Sequence, residues 1–424
     1  MNVLLLGSGA REHALAWRLQ QSPLCSQLYI APGNGGTDAF GTNLPEVDPN
    51  DFDAVKQAVM AHNVQLVICG PEEPLVRGIQ NYFSTDDELK TVFFIGPSKE
   101  AARLEGSKAY AKAFMEEYGI PTASYRKFTA DEVEQAVAHV GSLTPPIVLK
   151  ADGLAAGKGV LIVEDTEEAQ RELREMLGGK FGDASSTVVV EDYLEGIEFS
   201  VFVLTDGNSY RILPVAKDYK RIGEGDTGPN TGGMGSVSHP PFVDPDLMRK
   251  VEQQIVQPTL HGIKARKLVY HGFIFIGLIV IDGEPQVIEY NCRLGDPETQ
   301  SVLARLKNDL MQLLLETAEG QLSGAVIDMD DRAAATVVMV SKGYPGDYQK
   351  GKVITGIEAV SSSMVFQAGT QRNKKGDLVT SGGRVLSVTS YGNTIQEALD
   401  LSYENARHIQ FDGAHLRSDI GFDL

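Results

Sequence analysis

The chain has 424 residues, 42% of them hydrophobic, and a formal net charge of -19. Such a length allows two to four domains with well-buried cores, and the ordinary apolar content excludes a disordered chain. So large an acidic surplus excludes nucleic acid as the main partner, because binding a polyanion needs a broad basic surface; any phosphate site must be a local basic focus.

The cysteines Cys25, Cys69 and Cys292 are too few and too scattered for a disulfide framework or a thiolate metal site. No apolar run reaches about 18 residues, so no membrane-spanning segment and no membrane partner are expected. The chain opens directly on an apolar strand without signal-peptide features, which makes the cytoplasm the expected compartment.

Asn2 to Gly7 reads as a buried parallel strand, followed by the turn Ser8-Gly9-Ala10 and an amphipathic helix from Arg11 to Gln21. A dinucleotide fingerprint would place a third glycine at position 12. Glu12 stands there, flanked by Arg11 and His13, and this disfavours NAD. A strand-to-helix turn still presents N–H groups to the phosphate of a small molecule; a tight turn with a satisfied Arg and His is the alternative. Leu28 to Ala31, Leu66 to Cys69 and Val92 to Ile95 read as further strands, each leading into a Gly/Pro loop at its carboxyl end, where open α/β sheets bind ligands. The first domain closes near residue 105.

Glu105-Gly106-Ser107-Lys108 starts a helix that runs to Tyr118 and is ended by Gly119-Ile120-Pro121. Residues 122–187 read as a small α/β unit with a helix over Thr129 to His139 and a strand over Ile147 to Lys150. The small-residue stretch Ala151 to Val160 then suits a hairpin that folds over phosphates, with Lys150 and Lys158 supplying charge. It is not a Walker A loop, since Gly153 and Gly157 are too close and Gly159 replaces the hydroxyl residue.

Strands at Thr187 to Glu191 and Phe199 to Leu204 flank an apolar linker suited to sandwiching a flat base, with Glu198 placed to accept from ribose hydroxyls. Gly223 to Gly235 carries six glycines in thirteen positions and is expected to be a loop; the adjoining Lys220 and Arg221, with Asn230 and Thr231, favour a functional one.

Phe273 to Ile281 is apolar on both faces, as a strand in the middle of a sheet must be, and Asp282-Gly283 favours a tight hairpin. In the returning strand, Gln286 to Arg293, strict alternation puts Ile288, Tyr290 and Cys292 on one face and Glu289, Asn291 and Arg293 on the other. Water is the plain destination for a polar face, but so apolar a neighbour favours a cleft. Two oxygen ligands two residues apart suit Mg²⁺, and a guanidinium suits phosphate. Gly295-Asp296-Pro297-Glu298-Thr299 returns more polar groups to the same edge. A helix from Leu303 to Glu319 follows, then short strands near Ala334 to Val340, Lys352 to Ile354, Val365 to Gln367 and Gly383 to Val388, and a helix from Thr394 to Ile409. Nothing in that last region looks catalytic.

The segments GSGAREHALAW, APGNGGT, GPEEPLV, EGSKAYAK, KADGLAAGKGV, GDTGPNTGGMG, VIEYNCRLGDPETQ, KGYPGDY and TSGGRVLSVT run from Gly7 to Val388. On these the chain resembles the ATP-grasp enzymes and, among them, the phosphoribosylamine glycine ligase family of purine biosynthesis. The resemblance implies an α/β and α+β multidomain fold: a Rossmann-like parallel-sheet domain over 1–105, a central ATP-grasp domain over 106–121 and 188–325, a small lid over 122–187, and a mixed α/β C-terminal domain over 326–424. It implies that ATP, glycine and 5-phosphoribosylamine give glycinamide ribonucleotide, ADP and phosphate through glycyl phosphate.

Carried over residue by residue, the resemblance makes Glu289 and Asn291 ligands of Mg²⁺ or Mn²⁺. Lys108 and Lys150 contact the ATP phosphates, and Gly153, Gly157, Lys158 and Gly159 form the lid. Glu191 and Leu194 lie at the adenine, Glu198 at the ribose, and Arg293 and Lys150 at the transferred phosphoryl group. Gly9, Arg11, Asn34, Lys220, Asn230 and Asp296 are expected at the other substrates, with Asp296 facing the ammonium of glycine. A transient contact with the enzyme that makes phosphoribosylamine is an expectation without residues attached to it. Ala10, in the first turn, and Ser236 to Pro240 depart from the family's usual residues. Another ATP-grasp ligase acting on a related ribonucleotide and a nucleotide sensor without turnover are the competing readings.

Overall fold

The computed structural model describes residues 1–155 and 159–424; the expectations on Gly157 and Lys158 lie outside the described residues, as does the side chain of Asp183. Asn2–Gly7, Gln27–Pro32, Leu66–Cys69 and Phe93–Pro97 pair in parallel. The alternation within Val3-Leu4-Leu5-Leu6 sorts these side chains to two cores. Val3 and Leu5 pack with the helix Ala10–Gln20, whereas Leu4 and Leu6 pack with Val55, Val59 and Phe83 on the opposite face. A continuous apolar strand therefore marks a sheet covered on both sides, as expected.

This sheet does not end with the first domain. Tyr270 and His271 pair antiparallel with Pro97 and Gly96, so the long strand Tyr270–Ile281 extends it into a nine-stranded sheet. Ile197–Thr205 runs antiparallel on one side of that strand and Glu284–Asn291 on the other. Asp282 and Gly283 both adopt positive φ (51° and 78°), the tight hairpin turn that this dipeptide favours.

Strict alternation in the returning strand is broken by a bulge. Leu278 pairs with Val287 and Gly277 with Glu289, leaving Ile288 as the extra residue. Val287, Tyr290 and Cys292 accordingly enter the core, while Ile288 is only half-buried. Glu289, Asn291 and Arg293 keep to the other face.

The glycine-rich stretch is not a loop. Lys217–Gly223 and Thr227–Ser238 form a hairpin, and the second strand pairs with Ala333–Ser341, joining a six-stranded sheet shared with the C-terminal region. Close approach is the reason for the glycines. Gly233, at φ +114°, lies against the ring of Pro297, and a Cβ on Gly235 would stand 2.8 Å from Ile420. The helix expected over Leu303 to Glu319 is two, Glu298–Arg305 and Leu310–Ala318, because Asp309 caps the second one by accepting from Gln312 N. Lys352 to Ile354 makes only an isolated pairing, Val353 with Val379.

Tyr125–Thr129, Thr187–Asp192, Ile147–Ala151 and Val160–Val163 form a separate antiparallel sheet packed on the helices Val133–Val140 and Thr166–Leu177. Among the described residues no helix is long and apolar enough to cross a membrane.

Candidate active site

The end of the strand Glu284–Asn291 and the turn after it collect charged groups from every part of the chain. Arg293 pairs with Glu105 at 2.8 Å and approaches Glu72 at 3.5 Å, and its Nη2 donates toward Asn291 Oδ1 at 3.4 Å. Glu105, at the end of the helix Lys99–Gly106, also accepts from Cys292 N at 2.7 Å. Burial works against the Arg293 charge, but Glu105 and Glu72 outweigh it and raise its pKa. The guanidinium is thus held as a fixed cation.

Beside it lies an acidic group of side chains. Burial, followed among the raising influences by Glu198 and Glu289, lifts the Asp218 carboxyl, although Lys220 opposes the shift. Burial together with Asp218 pushes Glu298 up to about 8. Lys220 donates to Glu198 at 2.9 Å. Among the described residues no three His, Cys, Asp or Glu side chains form a ready metal-ligand set. The donors at hand are oxygens, Glu289 and Asn291, next to carboxylates that Lys220 offsets only in part, since Asp218 and Glu298 are both still raised; this fits a hard divalent cation and not a thiophilic one.

On the small antiparallel sheet, Lys150 Nζ lies 2.9 Å from Glu191 Oε2 and donates toward the carbonyl of the bulged Ile288 at 3.4 Å. Glu191 points its carboxylate at two lysines, since Lys112 Nζ stands 3.0 Å from the same oxygen. Leu194 is half-buried in the linker between strands. Lys108, at the start of the helix Lys108–Glu117, donates to Gly153 O at 3.2 Å, and Asp152 accepts from Ala109 N at 2.7 Å. The Gly159 carbonyl accepts from Ala151 N at 2.8 Å, closing the base of the hairpin.

The N-terminal loops are tied down internally. Gly9 N donates to Glu12 Oε2 at 2.6 Å, and the Glu12 side chain packs against Gly7 and Gly70, filling the turn that a dinucleotide phosphate would need. Arg11 pairs with Glu12 at 2.6 Å and donates to Leu294 O at 3.1 Å. The Asn34 amide donates to Ser8 O at 2.9 Å and to Gln367 O at 2.7 Å, which locks the first turn to the C-terminal region. Asp296 accepts from Gln300 at 2.9 Å and sits 3.3 Å from Arg384; burial raises its pKa, but Arg384 and Arg11 hold it below the usual carboxylate value. Asn230 is half-buried opposite Arg221 in the glycine-rich hairpin.

Sequence reasoning passed over Asp218, which lies in none of the motifs. Glu72, Glu105, Lys112, Glu298 and Arg384 stood inside motifs singled out as GPEEPLV, EGSKAYAK, GDPET and TSGGRVLSVT without a role of their own. The motifs marked Arg384 and Lys112 only as members, because the partners that give them their roles are remote in the chain.

Models of the phosphoribosylglycinamide synthetase N domain, ATP-grasp (A) domain and C domain match residues 1–105, 106–299 and 334–423. The chain belongs to the phosphoribosylglycinamide synthetase family. It is 48% identical to a phosphoribosylamine–glycine ligase of Chlorobaculum tepidum over 99% of both chains. With the phosphoribosylamine–glycine ligase of Yersinia pestis it shares 44% identity over 100% of this chain and 98% of that one. The crystal structure of the Thermotoga maritima phosphoribosylamine–glycine ligase superposes with a TM-score of 0.84 at 36% identity, covering 99% of this chain and 100% of that one. For a synthetase of this family, the convergence on residues 288–296 gathers groups from all three matched regions.

Proposed function

We propose that this chain is an ATP-dependent carbon–nitrogen ligase that joins glycine to 5-phosphoribosylamine, giving glycinamide ribonucleotide, ADP and phosphate. The observation that carries the reading is the meeting of three regions on one strand edge. Lys150 reaches Ile288 O, Arg11 reaches Leu294 O, and Arg384 reaches the carboxylate of Asp296, all beside Glu289, Asn291 and Arg293.

A carboxylate is a poor acylating agent, so the glycine carboxylate first attacks the γ-phosphorus of ATP, ADP leaves, and glycyl phosphate results. The amine of phosphoribosylamine then attacks the acyl carbon; phosphate departs and the amine nitrogen loses a proton. Little covalent work falls to the protein, which must position charged reactants and stabilise the transferred phosphoryl charge. Arg293, fixed by Glu105, presents a permanent cation to that group. Lys108 and Lys150 neutralise the ATP phosphates beneath the hairpin that includes Gly153 and Gly159. Glu191 and Leu194 border the adenine, and Glu198 borders the ribose.

Glu289 and Asn291 would hold Mg²⁺ or Mn²⁺, which when bound neutralises phosphate charge. Asp296 faces the ammonium of glycine, Lys220 and Asn230 belong to the contacts of the two co-substrates, and the loops at Gly9, Arg11 and Asn34 face phosphoribosylamine. The division into 1–105, 106–121 with 188–325, 122–187 and 326–424, residence in the cytoplasm, and a transient contact with the enzyme supplying the unstable amine belong to the same reading. The deciding experiment is divalent-cation-dependent ADP release with glycine, with and without phosphoribosylamine generated in place from ribose 5-phosphate and ammonia. Turnover that requires both co-substrates and yields glycinamide ribonucleotide is expected. ADP release indifferent to glycine would overturn the assignment.

A further inference from the structure

Lys112 is 2% exposed, and no step described above uses it. It lies on the inward face of the helix Lys108–Glu117, one turn after Lys108. Its ammonium donates to Thr122 Oγ1 at 2.8 Å and to Ala123 O at 3.1 Å, and it stands 3.0 Å from Glu191 Oε2. Three partners thus saturate its three N–H groups. Lys150 meets the same carboxylate oxygen at 2.9 Å, while Glu191 Oε1 is buried without a partner among the described residues. The three side chains form a buried triad of one anion and two cations.

The two lysines are not equivalent. Lys112 is held by two further oxygens of its own neighbourhood, whereas among the described residues Lys150 has only Glu191 and a long bond to Ile288 O. If Lys150 turned toward a phosphate with no second cation present, Glu191, 4% exposed, would be left as a buried unpaired carboxylate. Stranding a charge in this way is among the costliest changes in a protein interior. With Lys112 in place, Glu191 keeps a counter-ion and the triad retains one surplus positive charge.

We propose that Lys112 is a positioning residue for nucleotide binding: it is the permanent counter-ion of Glu191, and its presence releases Lys150 to the phosphates of ATP. Burial pulls the Lys112 ammonium down to about 8 and Glu191 opposes that shift, in keeping with a cation held by one fixed anion. The proposal rests on the reading of Lys150 as an ATP-phosphate contact.

The test is a double-mutant cycle on ATP affinity, measured by equilibrium binding of a fluorescent ATP analogue to the full chain, with thermal melts to confirm folding. In Lys112→Met, Glu191 claims Lys150 for itself, and affinity is expected to fall by about tenfold or more, the size of effect that follows from losing a fraction of a buried charge interaction. Removing the claim should remove the defect, so Lys112→Met/Glu191→Gln is expected to bind within about threefold of Glu191→Gln alone, as coupled neighbours do. Lys112→Arg should recover part of the loss. An equal loss from Lys112→Met in both backgrounds would mean that Lys112 only fills space, and the proposal would fall. Lys150→Met is the separate control: unchanged ATP affinity there would overturn the underlying reading of Lys150, whatever Lys112 does.

Discussion

Arg384 donates to the main-chain carbonyl of Asp296 at 2.7 Å, and its Nη1 lies 3.3 Å from the carboxylate of the same residue. That nitrogen also donates to Gly232 O at 2.6 Å, so one C-terminal side chain ties the glycine-rich hairpin to the turn after the strand Glu284–Asn291. A region that carries no catalytic signature in sequence therefore braces the turn around Asp296.

Arg384→Ala should leave ATP binding intact while lowering kcat/KM for glycine by roughly tenfold to a hundredfold, the range expected when a small misplacement disturbs reactant geometry. Steady-state kinetics at saturating ATP, next to nucleotide affinity measured directly, make the comparison. Equal losses of both would show that the clamp serves the whole fold instead.

Replacing Glu289 by Gln removes one of the two oxygen donors proposed for the cation and reduces the local negative charge. Turnover is expected to drop by orders of magnitude and the divalent-cation requirement to shift to higher concentration, with an unchanged melting profile. Removal of the cation from the unaltered chain with a chelator should abolish ADP release, and added Mg²⁺ should restore it. Near-normal turnover of the variant would take Glu289 out of the metal site.

His13 Nδ1 accepts from Gln367 N at 2.8 Å between the rings of Phe40 and Phe366, and burial lowers its pKa from 6.5 to about 4. The unfolded chain therefore binds the proton more readily. Stability from this residue is complete above about pH 6.5 and is lost as pH falls toward 4, by up to roughly 3 kcal/mol. His13→Gln, which retains an acceptor, should flatten the fall in melting temperature between those pH values. A slope identical to that of the parent chain would assign acid sensitivity elsewhere.

Gly233 and Gly225 separate two causes of glycine use in the hairpin. Both have positive φ, +114° and +63°, but only Gly233 abuts Pro297, whereas nothing lies within 4 Å of a Cβ at Gly225. Gly233→Ala is expected to cost about 3 kcal/mol through strain and collision, and Gly225→Ala about 1 kcal/mol through backbone strain alone. Chemical denaturation of the two variants gives the comparison, and equal costs would remove close packing as the reason for Gly233.

Much of this molecule is a local matter and was legible in the residues themselves. The parallel strand Asn2–Gly7, the turn at Asp282-Gly283, and the polar face of Glu289, Asn291 and Arg293 follow from periodicity and turn chemistry, which depend on chain neighbours. The motifs carried the family in the same way. Only the tertiary structure decided that the bulge falls at Ile288, that six glycines in thirteen positions belong to a paired hairpin, and that the Leu303 to Glu319 helix breaks at Asp309. It alone joined His13 to Gln367 across 354 positions and Lys112 to Glu191 and Lys150. Strand partners, close approaches and buried charge pairs are set by what packs against a residue. Sequence neighbours hold no record of a carboxylate arriving from another part of the chain.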